Sequence, residues 1–340
     1  MTLSLCKSKK TTFYSDLQAS LELDLRDNRG KRHDLSFVLL GFTLALFSNR
    51  DGNLSSLHRH MLNHQEELCK FIGIDYLRVV SRAQLPKILS KINEQALNKL
   101  VLKYFGHGLT AKEQSWFAVD GKELRGSCIK GNTRGESIVL AVEHSTKIIV
   151  SQTFYGGLKE SEKPTVQTFL RQNGFLNQKI TVDALHFNPN TLEPIHVNQG
   201  FYIVGLKGNQ KELFAKMAIT GGTGRIQYSK SGFDDKHGRD ESRMYQLFDV
   251  KNETYAPRWE NSGIRTLLKV TRKFKNKKTK KETLEISYYL SNKEAKNLSE
   301  ANELFDAIRH HWSVETCNHV RDVTLKEDKF RTKKTNVLEQ

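Results

Sequence analysis

Residues 178–206, QKITVDALHFNPNTLEPIHVNQGFYIVGL, decide the fold class. The stretch contains two short apolar runs, residues 180–182 and 201–206, on either side of a helix-like segment. A strand, a helix and a second strand in this order predict two parallel strands joined by a crossover helix. The first run ends directly in Asp183. We therefore expect an α/β core in which Asp183 follows a buried strand.

Downstream and upstream of this stretch the pattern predicts further strands and helices. The predicted strands are 116–119, 137–142, 148–155, 264–274 and 284–290, and the predicted helices are 165–172 and 300–320. The second and third of these strands form a pair joined at residues 144–147. The last two form a long hairpin with a basic tip. The tip contains Arg272, Lys273, Lys275, Lys277, Lys278, Lys280 and Lys281. A solvated turn that discourages edge pairing and a DNA contact both explain such a tip.

The first part of the chain, residues 13 to about 106, has helical patterning. Asp34 or Ser36 is placed to cap the helix that contains the apolar run 35–47. That run is too short to span a bilayer. Residues 81–102 have helical spacing, interrupted early by Pro86. The sequence therefore predicts a helical N-terminal region followed by an α/β region.

Charge is the most informative feature of the composition. The 340 residues include 54 Lys and Arg against 38 Asp and Glu, a formal net charge of +16. A protein this basic usually meets a polyanion, because nucleic acid releases counterions when Lys and Arg neutralise its phosphates. The four cysteines are scattered, so neither a disulfide framework nor a zinc ribbon is indicated. With no apolar signal segment, a cytoplasmic protein is expected.

Two aspartates follow apolar runs of strand length. Asp120 comes directly after residues 116–119, as Asp183 does after 180–182. If the two strands are parallel neighbours, both carboxylates lie at the same edge of the sheet, where α/β proteins bind ligands. Paired carboxylate oxygens suit Mg²⁺ or Mn²⁺. Taken singly, each aspartate is better explained as a turn or cap residue.

Glu315 is the candidate for a third carboxylate. Ile308, Trp312, Glu315 and His319 fall on one face if residues 300–320 form a continuous helix, which places Glu315 in the buried stripe. A third acid completes the ligand set of a two-metal site for phosphoryl transfer. A salt bridge to Arg309 or Arg321 explains the same spacing.

Five motifs occur in an order that resembles a known family. They are FAVDGKELRGS (117–127), ITVDALH (180–186), YIVGLKGNQ (202–210), HGRDESR (237–243) and RHHWSVETCNHVRDVTLKEDKFR (309–331). Together they resemble the insertion-sequence DDE transposases that include the H-repeat-associated proteins, over nearly the whole chain. The resemblance implies a helical N-terminal domain, 1–106, and a ribonuclease-H-like catalytic domain, 113–340. It also implies a β insertion at about 225–290, before the last catalytic helix.

The family's motifs assign roles to particular residues of this chain. The resemblance implies that Asp120, Asp183 and Glu315 are the catalytic carboxylates and hold Mg²⁺ or Mn²⁺, with two ions expected. The partners it implies are the double-stranded DNA of element ends and of the target, bound by a homodimer near the nucleoid. DNA contacts are expected from Lys122, Arg125, Lys207, Asn209, Gln210, His237, Arg239, Arg243, Lys277, Lys278, His311 and Trp312.

Several assignments stay open at the level of sequence. Trp312 is explained by stacking on a flipped base or by anchoring its helix, and His186 by a contact to the scissile region or by packing. Asp322, Glu327 and Asp328 also match the family and are rival acids. Family members usually continue past TKKTNVLEQ, so we expect a truncated chain. A transposase, a nuclease without strand transfer and an inactive DNA-binding remnant are therefore the three functions to separate.

Overall fold

The computed structural model describes residues 12–48, 53–105, 115–124, 137–155, 159–235 and 239–324. Arg125, His237, Glu327 and Asp328 lie outside these residues, as does the side chain of Arg239. The chain divides into two units. One comprises residues 1–109, 123–137 and 318–340, and the other comprises residues 110–122 and 138–317.

The described part of the first unit is built from helices. They are α1 (Phe13–Ala19), α2 (Leu35–Ser48), α3 (Leu54–Asn63), α4 (Gln65–Ile72), α5 (Leu85–Leu89) and α6 (Glu94–Phe105). As predicted, Asp34 caps α2, accepting a hydrogen bond from the Phe37 backbone N–H at 2.8 Å. The segment 81–102, predicted to be helical with an early interruption at Pro86, forms α5 and α6, and Pro86 lies at the start of α5 while the break follows Leu89. Asn93 caps the second of these, because its side chain accepts a bond from the Ala96 N–H.

The second unit contains the large sheet. Its strands are β1 (Trp116–Glu123), β2 (Ser137–Glu143), β3 (Ile149–Tyr155), β4 (Lys179–Val182), β5 (Phe201–Leu206), β6 (Tyr228–Asp234), β7 (Arg239–Asp249), β8 (Thr266–Asn276) and β9 (Glu282–Ser291). Among the described residues they form one sheet in the order β3-β2-β1-β4-β5-β9-β8-β7-β6. β4 pairs in parallel with both β1 and β5, whereas β5–β9 and the pairs from β6 to β9 are antiparallel.

Helices lie between and after these strands. They are α7 (Lys159–Gln172), α8 (Pro189–Val197), α9 (Lys211–Thr223), α10 (Leu298–His310) and α11 (Trp312–His319). Buried side chains of α7 and α8 join those of β1, β4 and β5 in one core cluster, which includes Phe169 and Leu192. A second cluster unites α10 with β7 and β8 through residues such as Phe305 and Leu268. The sheet therefore carries a core on each side.

The observed elements confirm a mixed α/β architecture and alter two of its details. The crossover between β4 and β5 passes through α8, as predicted for 178–206. The helix predicted over 300–320 is interrupted at His311, where α10 ends and α11 begins one residue later. The structure also resolves β6 and β7 as separate strands within the region that the sequence indicated only as β-rich. In the described part of the chain, no helix has the length and apolar character needed to cross a membrane.

Candidate active site

The pairing register of β1 and β4 brings the two predicted aspartates together. Val119 lies opposite Val182 in this parallel pair. Asp120 and Asp183 are the residues that follow these two valines, so they lie at the same level of the sheet. Both strands are buried up to this point, since Ala118 and Val119 are fully enclosed and Val182 is nearly so. The parallel pairing ends at this level. Asp183 therefore lies at the carboxyl end of β4, as the sequence predicted, whereas β1 continues three residues past Asp120.

A tight turn holds Asp183. Its Oδ1 accepts a hydrogen bond from the Leu185 backbone N–H at 2.8 Å, which caps the short 3₁₀ turn Ala184–His186. Gly205 on β5 lies beside this turn. A Cβ at that position would stand 3.3 Å from the Ala184 nitrogen. A glycine thus lets β5 pass close to the turn that follows Asp183.

Two residues of the YIVGLKGNQ motif form hydrogen bonds with the backbone of the same turn. The Asn209 side chain donates a hydrogen bond to the Ala184 carbonyl at 2.9 Å, and Gln210 donates to the Phe187 carbonyl at 3.1 Å. Both side-chain amides therefore have a role in holding the backbone that carries Asp183. Lys207, between β5 and these amides, is exposed. Lys207 is the charged one of these three predicted DNA-binding residues, and its side chain is exposed to solvent.

Asp120 has a strongly altered acidity. Burial raises its pKa to about 7, and the negative charge of Asp183 adds to the rise. The charge of Glu162 acts in the same direction, and His186 opposes it. This arrangement is that of carboxylates close enough to disfavour each other's ionisation. A divalent cation between such groups removes that repulsion, because it offers both of them a positive partner.

Glu162 and His186 lie beside the aspartates. His186 is fully buried, with its Nε2 3.3 Å from Glu162 Oε1 and 3.9 Å from Asp183 Oδ1. Glu162 comes from α7 and rests against Gly121, the residue after Asp120. The sequence left His186 between contact with DNA and packing, and its complete burial excludes direct contact with DNA in this conformation. No pattern in the sequence indicated Glu162.

Thr181, two residues before Asp183, connects two histidine side chains. Thr181 Oγ1 lies 3.0 Å from His144 Nε2 and 2.9 Å from His311 Nδ1. Burial lowers the pKa of His144 to about 3 and that of His311 to about 4. The charge of Asp183 opposes the shift of His311, which shows that the two residues interact. His311, predicted to bind DNA, is therefore neutral near pH 7 and bonded within the protein.

The structure does not support the predicted burial of Glu315. Glu315 and Trp312 are both exposed, and the buried residues of α11 are Ser313 and Val314. The prediction chose the wrong stripe, because the buried face runs through Ala307 and Val314, one position before Ile308 and Glu315. Burial raises the pKa of Tyr289, a residue of β9, and the charge of Glu315 acts in the same direction. The alternative partner Arg309 lies instead 4.0 Å from Asp234.

The three predicted carboxylates do not form a metal cluster together in this conformation. Within the described ranges, no three His, Cys, Asp or Glu side chains are close enough to one another to hold a metal ion. The structure thus brings Asp120 and Asp183 together and leaves Glu315 exposed on α11. Asp322 lies in the helical turn of residues 320–324, in the other unit.

The remaining predicted DNA-binding residues have mixed environments. Lys122 is buried, and Arg243 forms an ion pair with Glu241, which is also buried. Lys277 pairs with Asp240 at 3.2 Å, whereas Lys278 is exposed at the tip of the β8–β9 hairpin. Trp312 is 56% exposed, so it is available for stacking and is not an anchor of its helix. Among the described candidates, the exposed ones are Lys207, Asn209, Lys277, Lys278 and Trp312, of which Asn209 and Lys277 make contacts within the protein.

Comparisons with known proteins place the chain in a family. The family described as Transposase DDE domain matches residues 111–340. YncI of Escherichia coli O157:H7, provisionally named as a transposase, is 27% identical over 324 residues, covering 93% of this chain and 81% of its own. YhhI of Escherichia coli K12, an H repeat-associated protein with a similar provisional name, is 23% identical and covers 93% and 84%.

Among solved structures, the chain is similar to a piggyBac transposase synaptic complex with hairpin DNA. The two are 12% identical, with a TM-score of 0.42, over 92% of this chain and 64% of that one. A likeness this distant adds nothing to the assignment, which rests on the family match and the curated relatives. The chain belongs to the transposase DDE domain family.

Proposed function

We propose that this protein is a DNA transposase that cleaves the ends of an insertion element and joins them to target DNA. The observation that carries the proposal is the pair Asp120 and Asp183, level with each other at the carboxyl edge of a parallel strand pair. The family match supports the same reaction class. We further propose that the core is ribonuclease-H-like, with β6–β9 as its insertion and residues 1–106 as a helical domain that helps to recognise DNA.

The residues of the site fit a divalent cation. Their donors are carboxylate oxygens, which Mg²⁺ and Mn²⁺ prefer. Burial and then the negative charge of Asp183 raise the pKa of Asp120, and a cation would favour the ionised form of both acids. Asp120 and Asp183 would hold the cation, and Glu315 would join them on DNA to complete a two-ion site. When bound, the ions would lower the pKa of a water or a DNA 3′-hydroxyl and stabilise the leaving oxygen.

The protein's own groups would orient this chemistry. Leu185 N–H fixes one oxygen of Asp183, and Asn209 and Gln210 hold the turn behind it. His311, kept neutral and bonded to Thr181, would present a polar ring beside Asp183. Lys207 and Lys278 would neutralise phosphates, and Trp312 would stack on an unpaired base. Two element ends require two such sites, so a homodimer on nucleoid DNA in the cytoplasm is proposed.

The test is cleavage of labelled element ends with Mn²⁺ by wild type and Asp183→Asn. Asparagine keeps an oxygen for the Leu185 N–H and removes the charge. Asp249→Asn is the matched control, because Asp249 Oδ1 accepts an equivalent bond from the Lys251 N–H at 3.0 Å. We expect nicking at the element boundary and 3′-end joining by wild type and Asp249→Asn, and neither by Asp183→Asn.

The exposed position of Glu315 favours a second candidate, an inactive DNA-binding remnant. Equal DNA binding by all three proteins, with no metal-dependent nicking by any, would establish the remnant and reject the transposase. Nicking without joining of 3′ ends would identify a nuclease instead.

A further inference from the structure

Glu162 is an acid at the site that neither the three-carboxylate pattern nor the family's motifs assign. It comes from α7, far from the other acids in sequence, and reaches the residue next to Asp120. A Cβ at Gly121 would stand 2.8 Å from both Cδ and Oε1 of Glu162. Any larger residue at position 121 would therefore displace this carboxylate. Glycine after Asp120 makes the space that Glu162 occupies.

His186 connects Glu162 to Asp183. The imidazole is completely buried, and its Nε2 lies 3.3 Å from Glu162 Oε1 and 3.9 Å from Asp183 Oδ1. A ring nitrogen that faces two carboxylate oxygens is stable there when it carries a hydrogen, since a bare lone pair would be repelled by both. Nε2 thus faces both acids, and in this conformation it meets neither in hydrogen-bond geometry. The electrostatic contact with the closer acid, Glu162, orients the ring.

We propose that Glu162 is a positioning residue that acts through His186 on Asp183. Glu162 holds the imidazole so that Nε2–H faces Asp183 Oδ1, the oxygen that Leu185 N–H already restrains at 2.8 Å. With this oxygen fixed, the carboxylate keeps one orientation toward Asp120 before a cation arrives. Residues that orient metal-binding side chains in this way commonly change metal affinity by about 10–100-fold when mutated. The inference rests on the proposed function, because it requires Asp183 to be a ligand.

The experiment measures Mn²⁺ binding by the full chain without DNA, from the free-ion signal in electron paramagnetic resonance. Glu162→Gln is nearly the same size and should fold, which circular dichroism and thermal unfolding would check. We expect it to weaken Mn²⁺ binding about tenfold. The control is Glu260→Gln, the same change at an exposed glutamate, which should bind like wild type.

A double-mutant cycle separates positioning from direct ligation. If Glu162 acts through His186, Glu162→Gln combined with His186→Gln should bind no more weakly than His186→Gln alone. Additive losses would mean that Glu162 acts independently of the imidazole, and would overturn the inference. An unchanged affinity in Glu162→Gln would overturn it too, while leaving the proposed function standing. A wild-type protein that binds no Mn²⁺ without DNA would also overturn the inference, while cleavage of element ends by wild type and Asp183→Asn decides the proposed function separately.

Discussion

At the scale of single residues, Asp120 has the most informative property, a pKa raised to about 7 by burial and then by the charge of Asp183. A carboxyl group whose pKa is higher in the folded chain stabilises the fold when it is protonated. That contribution is complete below the ordinary value of 3.8 and is lost as the pH rises through about 7. Ionised Asp120 should therefore destabilise the metal-free fold in alkaline solution.

Asp120→Asn should remove this destabilisation. At pH 8 we expect the variant, without metal, to unfold several degrees above wild type, since 1 kcal/mol is worth about 2–4 °C in a domain of this size. At pH 3, below the ordinary pKa of 3.8, the two should unfold at similar temperatures, because Asp120 is then largely protonated in both the folded and the unfolded chain. Differential scanning calorimetry with a chelator measures this. Asp235→Asn, the same change at an exposed position, should show no such pH-dependent gain; a gain equal to that of Asp120→Asn would refute the assignment.

The sequence predicted the two aspartates because their signal is local. Each follows an apolar run of strand length, and parallel pairing of the two runs was enough to bring them together. Glu162 and Thr181 could not be found this way. Glu162 reaches the site across the distance between α7 and β1, and Thr181 is one of many strand threonines until His311 is placed beside it. Contacts of this kind depend on tertiary packing, which no spacing rule encodes.

At the scale of elements, the buried face of α10 and α11 decides the position of Glu315. Ala307 and Val314 are buried at helical spacing, and His311 between them keeps a helical backbone and is bonded to Thr181 on β4. The sequence placed the buried stripe one position further along, through Glu315. Spacing alone did not choose between the two stripes, because His311 is polar and its partner lies in the sheet. The burial predicted for Glu315 was wrong for that reason.

Thr181→Val should loosen the start of α11. The substitution keeps the shape of the side chain and leaves two buried imidazole nitrogens without Oγ1, at a cost of about 1–3 kcal/mol. We expect faster amide hydrogen exchange in residues 312–319, measured by mass spectrometry. Thr181→Ser keeps the hydroxyl and should exchange like wild type. Identical exchange in all three proteins would mean that the Thr181–His311 bond does not hold this helix.

The β7–β8 pair depends on one buried acid. Glu241 has a 5% exposed side chain and pairs with Arg243 and, at 2.9 Å, with Arg272, which lie opposite each other in the register. The sequence hypothesis of DNA contact for Arg243 competes with this internal role. Removing one partner of a buried ion pair is costly because the opposite charge stays buried.

Glu241→Gln should therefore destabilise this part of the sheet by about 3–5 kcal/mol. Glu285→Gln is the matched control, because Glu285 also pairs with Arg272, at 3.2 Å, but is 50% exposed. Removing the charge of Glu285 should lower the free energy of unfolding by about 1 kcal/mol or less. Hydrogen exchange of the β7 and β8 amides under native conditions reports both values. Equal effects of the two substitutions would show that burial of Glu241 is not what matters.

At the scale of the whole molecule, the net charge of +16 predicts affinity for DNA but does not say where DNA lies. Many cations are already paired within the protein. Lys275 and Lys277 of the hairpin tip pair with Glu282 and Asp240, and Lys216 and Lys251 pair with Glu253 and Asp249. The exposed Lys278 and Lys281 at the tip are better placed to neutralise phosphates. Location and total charge are therefore separable by experiment.

Replacing Lys278 and Lys281 with alanine should lower the salt dependence of DNA binding. Each lost phosphate contact changes the slope of log K against log salt by about 0.9, so the double variant should lose about 2. Lys216→Ala with Lys251→Ala removes the same total charge from paired positions and should leave the slope unchanged. Fluorescence anisotropy over a salt series gives both slopes. If both double variants lose the same amount, DNA responds to net charge alone and the hairpin tip is a solvated turn; if only the tip variant loses it, β8–β9 forms part of the DNA-binding surface.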